Sequence, residues 1–260
     1  MDTAEGSAQG VPLAKTEDEA RRIAAAARER GVTAQALGGV GILLRCACAT
    51  RPPLQREYKD IDLVTTRSMV DRLTGLLTGL GHEPDKRFNA LHGSQRLFFW
   101  DEQNGRQLDV FVDRFEMCHS FDLRRRLAVD PTASTLPLAD LLLTKMQVVE
   151  LNHKDMQDMA ALLQEHPFTE NEEGINIRYI TELTRNDWGL QRTLEKTIER
   201  LSVTETLAEL SATEPRFSLA DQLSTLADAM MSAPKSTGWK LRSKIGERKR
   251  WYELPEEARA

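Results

Sequence analysis

The sequence predicts an α+β protein, with a mixed β-sheet core flanked by helices in its N-terminal half and a helical C-terminal region. Three observations predict it. Helix-type and strand-type patterns alternate over the first 115 residues; Asn104-Gly105 joins two β-type runs, the strongest short hairpin signal; and beyond Pro131 the strand signal gives way to helical periodicity. With 40% hydrophobic and 29% charged residues over 260 positions, the chain can bury a sizeable core, which excludes disordered and fibrous classes. Cys46, Cys48 and Cys118 leave one cysteine over in any disulfide scheme, and Cys46-Ala-Cys48 lacks the second pair or histidines of a zinc site, so reduced thiols are expected. The first thirty residues do not read as a signal peptide, and no stretch approaches the roughly 20 apolar residues of a membrane span. The expected location is the cytoplasm, with no membrane partner. A net charge of -5 argues against a surface that coats nucleic acid generally.

The elements follow in order. Residues 1–15, with Gly6, Ser7, Gly10 and Pro12, read as a loose leader. Residues 17–30 are alanine-rich, lack Gly and Pro, and stop at Gly31, which reads as a helix with a C-terminal glycine cap. A short apolar stretch at 34–37 enters Gly38-Gly39, and 40–49 is unbroken and apolar before Pro52-Pro53, giving strand, tight glycine turn and helix, a shape suited to phosphate. Residues 60–65 alternate acidic and aliphatic side chains, so one face of that strand is acidic. Ser68 and Asp71 read as a capping box with Asp in place of Glu or Gln, opening a helix through Leu73, Leu76, Leu77 and Leu80 to Gly81. Residues 96–100 and 107–112 are the hairpin strands. Helices are expected over 137–151, 153–166, 175–184, 190–202 and 219–231, with a polar loop at 170–174. The expected domains are 1–130, a core with its leader; 131–166, helices completing the site; and 167–260, a helical region ending in a basic and aromatic tail.

Asp60 and Asp62 share one strand face, about 7 Å apart along it. Two such carboxylates repel unless a cation sits between them, and a pair of magnesium ions is the natural occupant; a solvent-facing strand edge is the plainer alternative. Asp109 lies among Leu108, Val110, Phe111 and Val112, where an unpaired carboxylate would be costly, so a metal or other cation partner is expected, the plainer alternative being a place on the wet face of the hairpin. Asp113, an even number of residues further on, substitutes if the register shifts. Lys145 stands within a stripe of Leu138, Leu141, Leu142, Val148 and Val149, where it either snorkels out or meets a buried anion such as a triphosphate. Asp158, on the next helix, belongs to a solvated face or supports the site. His119 reads as structural, and His82, His92, His153 and His166 show no ligand spacing to one another.

Taken together, Gly38-Gly39, then Asp60-Ile61-Asp62, then Asp109 on a third strand, then Lys145 on a helix, resembles the nucleotidyltransferase superfamily that includes DNA polymerase beta. Within it, Asp140-Leu-Leu-Leu-Thr-Lys145 followed by Lys154-Asp155-Met-Gln-Asp158 is similar to the AbiE-type abortive-infection toxins and their nucleotidyltransferase relatives. The resemblance covers residues 35–164. It implies that Gly38, Gly39 and the following helix hold nucleotide phosphates, with Arg45 on that helix and Lys145 as further contacts, and that Asp60, Asp62 and Asp109 hold two magnesium ions, or manganese in their place. The implied activity moves a nucleoside monophosphate from a nucleoside triphosphate to a hydroxyl of RNA, tRNA, protein or a small molecule, releasing pyrophosphate. A toxin role with an antitoxin partner belongs to the same resemblance. Val40 stands where many members carry Ser or Thr, and the stretch from Gly39 to Asp60 is longer than usual. The runner-up is a protein of this fold without turnover that binds nucleic acid or a protein partner.

The tail sets Lys235, Lys240, Arg242, Lys244, Arg248, Lys249 and Arg250 beside Trp239, Trp251 and Tyr252. Basic groups for phosphates and aromatics for unpaired bases are the ingredients of an RNA contact. The alternative is that Trp239, Leu241, Ile245 and Trp251 dock the tail on the helical half.

Overall fold

The structure, a computed structural model, describes residues 10–254. In chain order the first elements are α1 (Thr16–Glu29), β1 (Gln35–Leu37), α2 (Gly38–Leu43), β2 (Ile61–Thr65), α3 (Val70–Gly79), β3 (Glu83–Pro84), α4 (Lys86–His92), β4 (Arg96–Asp101) and β5 (Arg106–Val112). After them come β6 (Arg114–Glu116), β7 (Ser120–Asp122), α5 (Arg124–Leu127), α6 (Leu138–Met146), α7 (His153–Glu165), β8 (Phe168–Thr169) and β9 (Ile175–Asn176). The chain ends in α8 (Ile177–Asn186), α9 (Trp188–Leu201), α10 (Thr204–Leu210), α11 (Leu219–Ser232) and α12 (Thr237–Ile245). Among the described residues there are two compact units, one of 10–41, 58–115 and 122–136, the other of 42–57, 116–121 and 137–254.

In the first unit, five strands are ordered β1-β2-β5-β4-β3. Only β2 and β5 run parallel, and the other neighbours are antiparallel, so the sheet is mixed as expected. Period-two alternation puts Ile61, Leu63, Leu108, Val110, Leu97 and Phe99 on one face, all buried. Helix α1 packs on α3 and β1, and α3 packs on β3. Helix α1 buries Ala20, Ile23, Ala24 and Ala27 and ends at Gly31, whose φ of +59° lets its N–H reach the Arg28 carbonyl while Val32 N–H reaches that of Ala27. This double bond pattern satisfies carbonyls that the helix end would otherwise leave unpaired.

In the second unit, α6 packs on α7, α8 and α9, while α11 packs on α7, α8 and α9. Leu141, Leu142, Met159, Leu162, Leu163, Ile180, Leu194, Leu226 and Met230 are its buried centre. No helix among the described residues is long and apolar enough to cross a membrane.

Several local expectations are corrected. The helix expected over 40–49 closes after Leu43, where Arg45 N–H and Cys46 N–H both turn back to the Ile42 carbonyl, and Cys48 N–H is taken by the Glu165 carboxylate. Ser68 forms no capping box: it lies in a 3-10 turn before α3, and its hydroxyl meets that of Thr66 at 3.0 Å. Helix α6 stops at Met146 because Asn152 starts a new helix, capping α7 in a box with Asp155. Residues 175–176 pair as β9, and the Asn176 side chain then caps α8. Residues 1–9 of the expected leader lie outside the described residues. Residues 10–15 are pinned: Gly10 N–H donates to the Gly79 carbonyl, and the Leu13 carbonyl accepts from Arg106 at 2.7 Å.

Candidate functional site

Strand β2 turns Ile61 and Leu63 to the buried face and Asp62 to the other. Its parallel pairing with β5 sets Asp62 directly beside Asp109, so two carboxylates stand on one face of neighbouring strands about 4.8 Å apart. Asp60 immediately precedes β2 and is exposed, so it borders the strand it was expected to open. On the other side β1 pairs Leu37 with Asp62, and Gly38 follows with φ +61°. A Cβ at Gly38 would run into the Asp62 carboxylate, so only glycine lets the start of α2 close on that acid.

Asp109 is 6% exposed, and the cation expected beside it is present as a side chain of the protein itself. Strand β4 pairs Phe98 with Asp109, which puts Arg96, two residues away, on the same face. Arg96 Nε lies 2.8 Å from Oδ1 and 2.9 Å from Oδ2, and Nη2 also donates to Oδ2. The guanidinium sits over the rings of Phe98 and Phe111, at 4.9 and 5.0 Å from their centroids. Burial pushes the Asp109 carboxyl above its ordinary value; Arg96 opposes this and the Asp60 charge adds to it. Burial disfavours the Arg96 charge, but the bonds and charge of Asp109, with Asp62 behind it, hold its pKa above the ordinary value. Sequence reasoning missed Arg96. A two-residue Asn104-Gly105 turn would set Trp100 opposite Asp109; the loop is instead the four residues 102–105, which sets Phe98 there, and in either register the period of two puts Arg96 on the Asp109 face.

Asp113 is no substitute for Asp109. It lies past the end of β5 with φ +62°, and its carboxylate accepts from Arg67 N–H at 3.1 Å, so it is a turn residue. Arg45 is an exposed residue in the turn after α2 rather than on the helix.

In the second unit, Lys145 meets buried anions that belong to the chain itself. Its ammonium lies 2.9 Å from Asp155 Oδ1 and 2.9 Å from Asp158 Oδ2, and Asp158 also takes Arg56 Nε at 2.8 Å and Nη2 at 2.7 Å. Burial disfavours the ammonium, yet the two carboxylates outweigh it and hold the Lys145 pKa up. Asp158, with no exposed side-chain surface, joins Lys145 to Arg56. His119 is held by Thr193 Oγ1 at 2.8 Å, and burial keeps its imidazole below its ordinary value, in line with a structural part. All three cysteines are free thiols; burial pushes Cys46 up and Cys48 up to about 12, which leaves both unreactive.

The tail is docked within the second unit. Trp251 Nε1 donates to Thr193 Oγ1 at 3.1 Å and its ring meets Trp188 edge-on at 5.7 Å; Arg242 lies over Trp188 at 4.6 Å; Glu247 takes Arg192 at 2.7 Å. The side chains of Lys240, Lys244, Arg248, Lys249 and Arg250 remain exposed.

Oxygen donors alone at Asp60 and Asp62 suit a hard divalent cation. Among the described residues no three His, Cys, Asp or Glu side chains converge as metal ligands, and here Asp109 is turned to Arg96. No family model and no curated protein matches the chain. The functional reading therefore rests on the acidic face itself.

Proposed function

We infer that the chain is a metal-dependent nucleotidyltransferase that moves a nucleoside monophosphate from a nucleoside triphosphate to a hydroxyl acceptor. The observation that carries this is the register of Asp62 with Asp109 on parallel strands, with Gly38 closed against Asp62. In the reaction an acceptor oxygen attacks the α-phosphorus, the bond to the bridging oxygen breaks, and pyrophosphate leaves. Asp60 and Asp62 would hold magnesium or manganese, which supplies charge neutralisation to the phosphates when bound. Asp109, made more basic by burial, accepts a hydrogen bond from the acceptor hydroxyl and orients it. RNA is one acceptor class, through the exposed basic residues of the tail.

The first test is a melt. Magnesium with a nucleoside triphosphate is expected to raise the stability of the chain by about 2.7 kcal/mol at a hundredfold excess over Kd, and Asp62→Asn to abolish the rise. The second is incorporation of α-labelled nucleotide into RNA, protein and small hydroxyl compounds. Removing the Asp62 charge is expected to cut incorporation by about a hundredfold or more. No melt shift and no incorporation would leave the fold as a binding module without turnover.

A further inference from the structure

Resting on the nucleotidyltransferase reading, we propose that Arg96 is a resident second cation of the acidic face, so that the face takes one divalent ion on Asp60 and Asp62 while Asp109 stays with the guanidinium. Both oxygens of Asp109 accept from Arg96, two of them at 2.8 and 2.9 Å from Nε and one shared with Nη2. A carboxylate that gives both oxygens to a planar fork has little lone-pair capacity left for a metal that wants a short, directed oxygen bond.

The pair is held in place from several sides. The β4–β5 register fixes Arg96 on the Asp109 face, and the rings of Phe98 and Phe111 lie against its guanidinium. Swinging Arg96 away would give up both rings and strand a carboxylate that is 6% exposed. Because guanidinium stays charged at any pH the fold survives, this cation is permanent.

The experiment counts bound manganese on the full chain, with Mn2+ as the only added ligand and free ion measured by electron paramagnetic resonance. One ion per chain is expected for the unaltered protein and none for Asp60→Asn with Asp62→Asn. Asp109→Asn, which keeps the shape and one accepting oxygen, is expected to leave the count at one. Arg96→Gln, which releases Asp109, is expected to raise it to two. Two ions on the unaltered chain, falling to one in Asp109→Asn, would show that metal displaces Arg96 and would overturn the proposal while sparing the nucleotidyltransferase reading. A count that stays at one in folded Arg96→Gln also overturns it, because Arg96 then excludes nothing. No bound ion overturns it too, and the underlying reading is then decided by the magnesium-nucleotide melt.

Discussion

Gly38 is the residue at which backbone conformation and site chemistry coincide. Its φ of +61° costs an L-residue roughly 1–2 kcal/mol, and a methyl group there would also meet the Asp62 carboxylate. Gly38→Ala is therefore expected to lower the urea midpoint by the equivalent of about 2 kcal/mol and to weaken magnesium-nucleotide binding in the same protein. Glu19 shows the reverse economy, a charge buried for stability alone. Its side chain is wholly buried, 2.7 Å from His82 Nε2 and 2.7 Å from Arg22, and it accepts from Leu13 N–H at 2.9 Å. Burial alone would raise its pKa, but the bonds from His82, Arg22 and Leu13 bring it down to about 2. A depressed carboxylate contributes stability that is complete above its ordinary value near 4.5 and is lost as pH falls toward 2. Acid titration followed by circular dichroism is expected to show a loss of up to about 3 kcal/mol across that window, largely absent in Glu19→Gln.

At the scale of elements, α7 carries the charges that hold α6. Asn152 and Asp155 cap it reciprocally, and one turn later Asp158 sits beneath Lys145. Asn152→Ala is expected to cost about 1 kcal/mol of stability, as lost caps do, read by thermal or urea unfolding. Lys145→Met should cost more, about 3 kcal/mol or above, because Asp155 and Asp158 are then left buried without their ammonium. Much of this scale is legible in the sequence. The Gly31 stop, the strands expected over 60–65 and 107–112, the Asn104-Gly105 turn and the starts of α6 and α7 are written in adjacent residues, and the structure has each of them, the strands at Ile61–Thr65 and Arg106–Val112. The early end of α2 is not legible, because its cause is a hydrogen bond from Cys48 to Glu165, far along the chain. The short elements β3, α4, α10 and α12 lack a strong period of their own and depend on their neighbours.

At the scale of the whole molecule, the tail separates stability from binding. Trp251 bonds Thr193 and packs on Trp188, so Trp251→Ala is expected to cost about 2 kcal/mol, whereas Lys240, Lys244 and Lys249 are exposed and can be changed together to Glu with the melting temperature kept. RNA binding by that triple variant is expected to weaken, with a salt slope smaller by about 2, the mark of lost phosphate contacts without lost stacking. An unchanged slope assigns the tail to structure alone. The sequence by itself determined the class of fold, the place of Asp62 on the face of β2 opposite Ile61 and Leu63, and the need of a buried Asp109 for a cation, and it narrowed Lys145 to snorkelling or a buried anion. All of these follow from periodicity and from the cost of burying charge. Only the tertiary structure decided who meets those needs: β2 beside β5 rather than another strand, Arg96 for Asp109, and Asp155 and Asp158 for Lys145. Partners distant in sequence are chosen by how the whole chain buries its apolar faces, and side chains that arrive together by that route carry no local mark of one another.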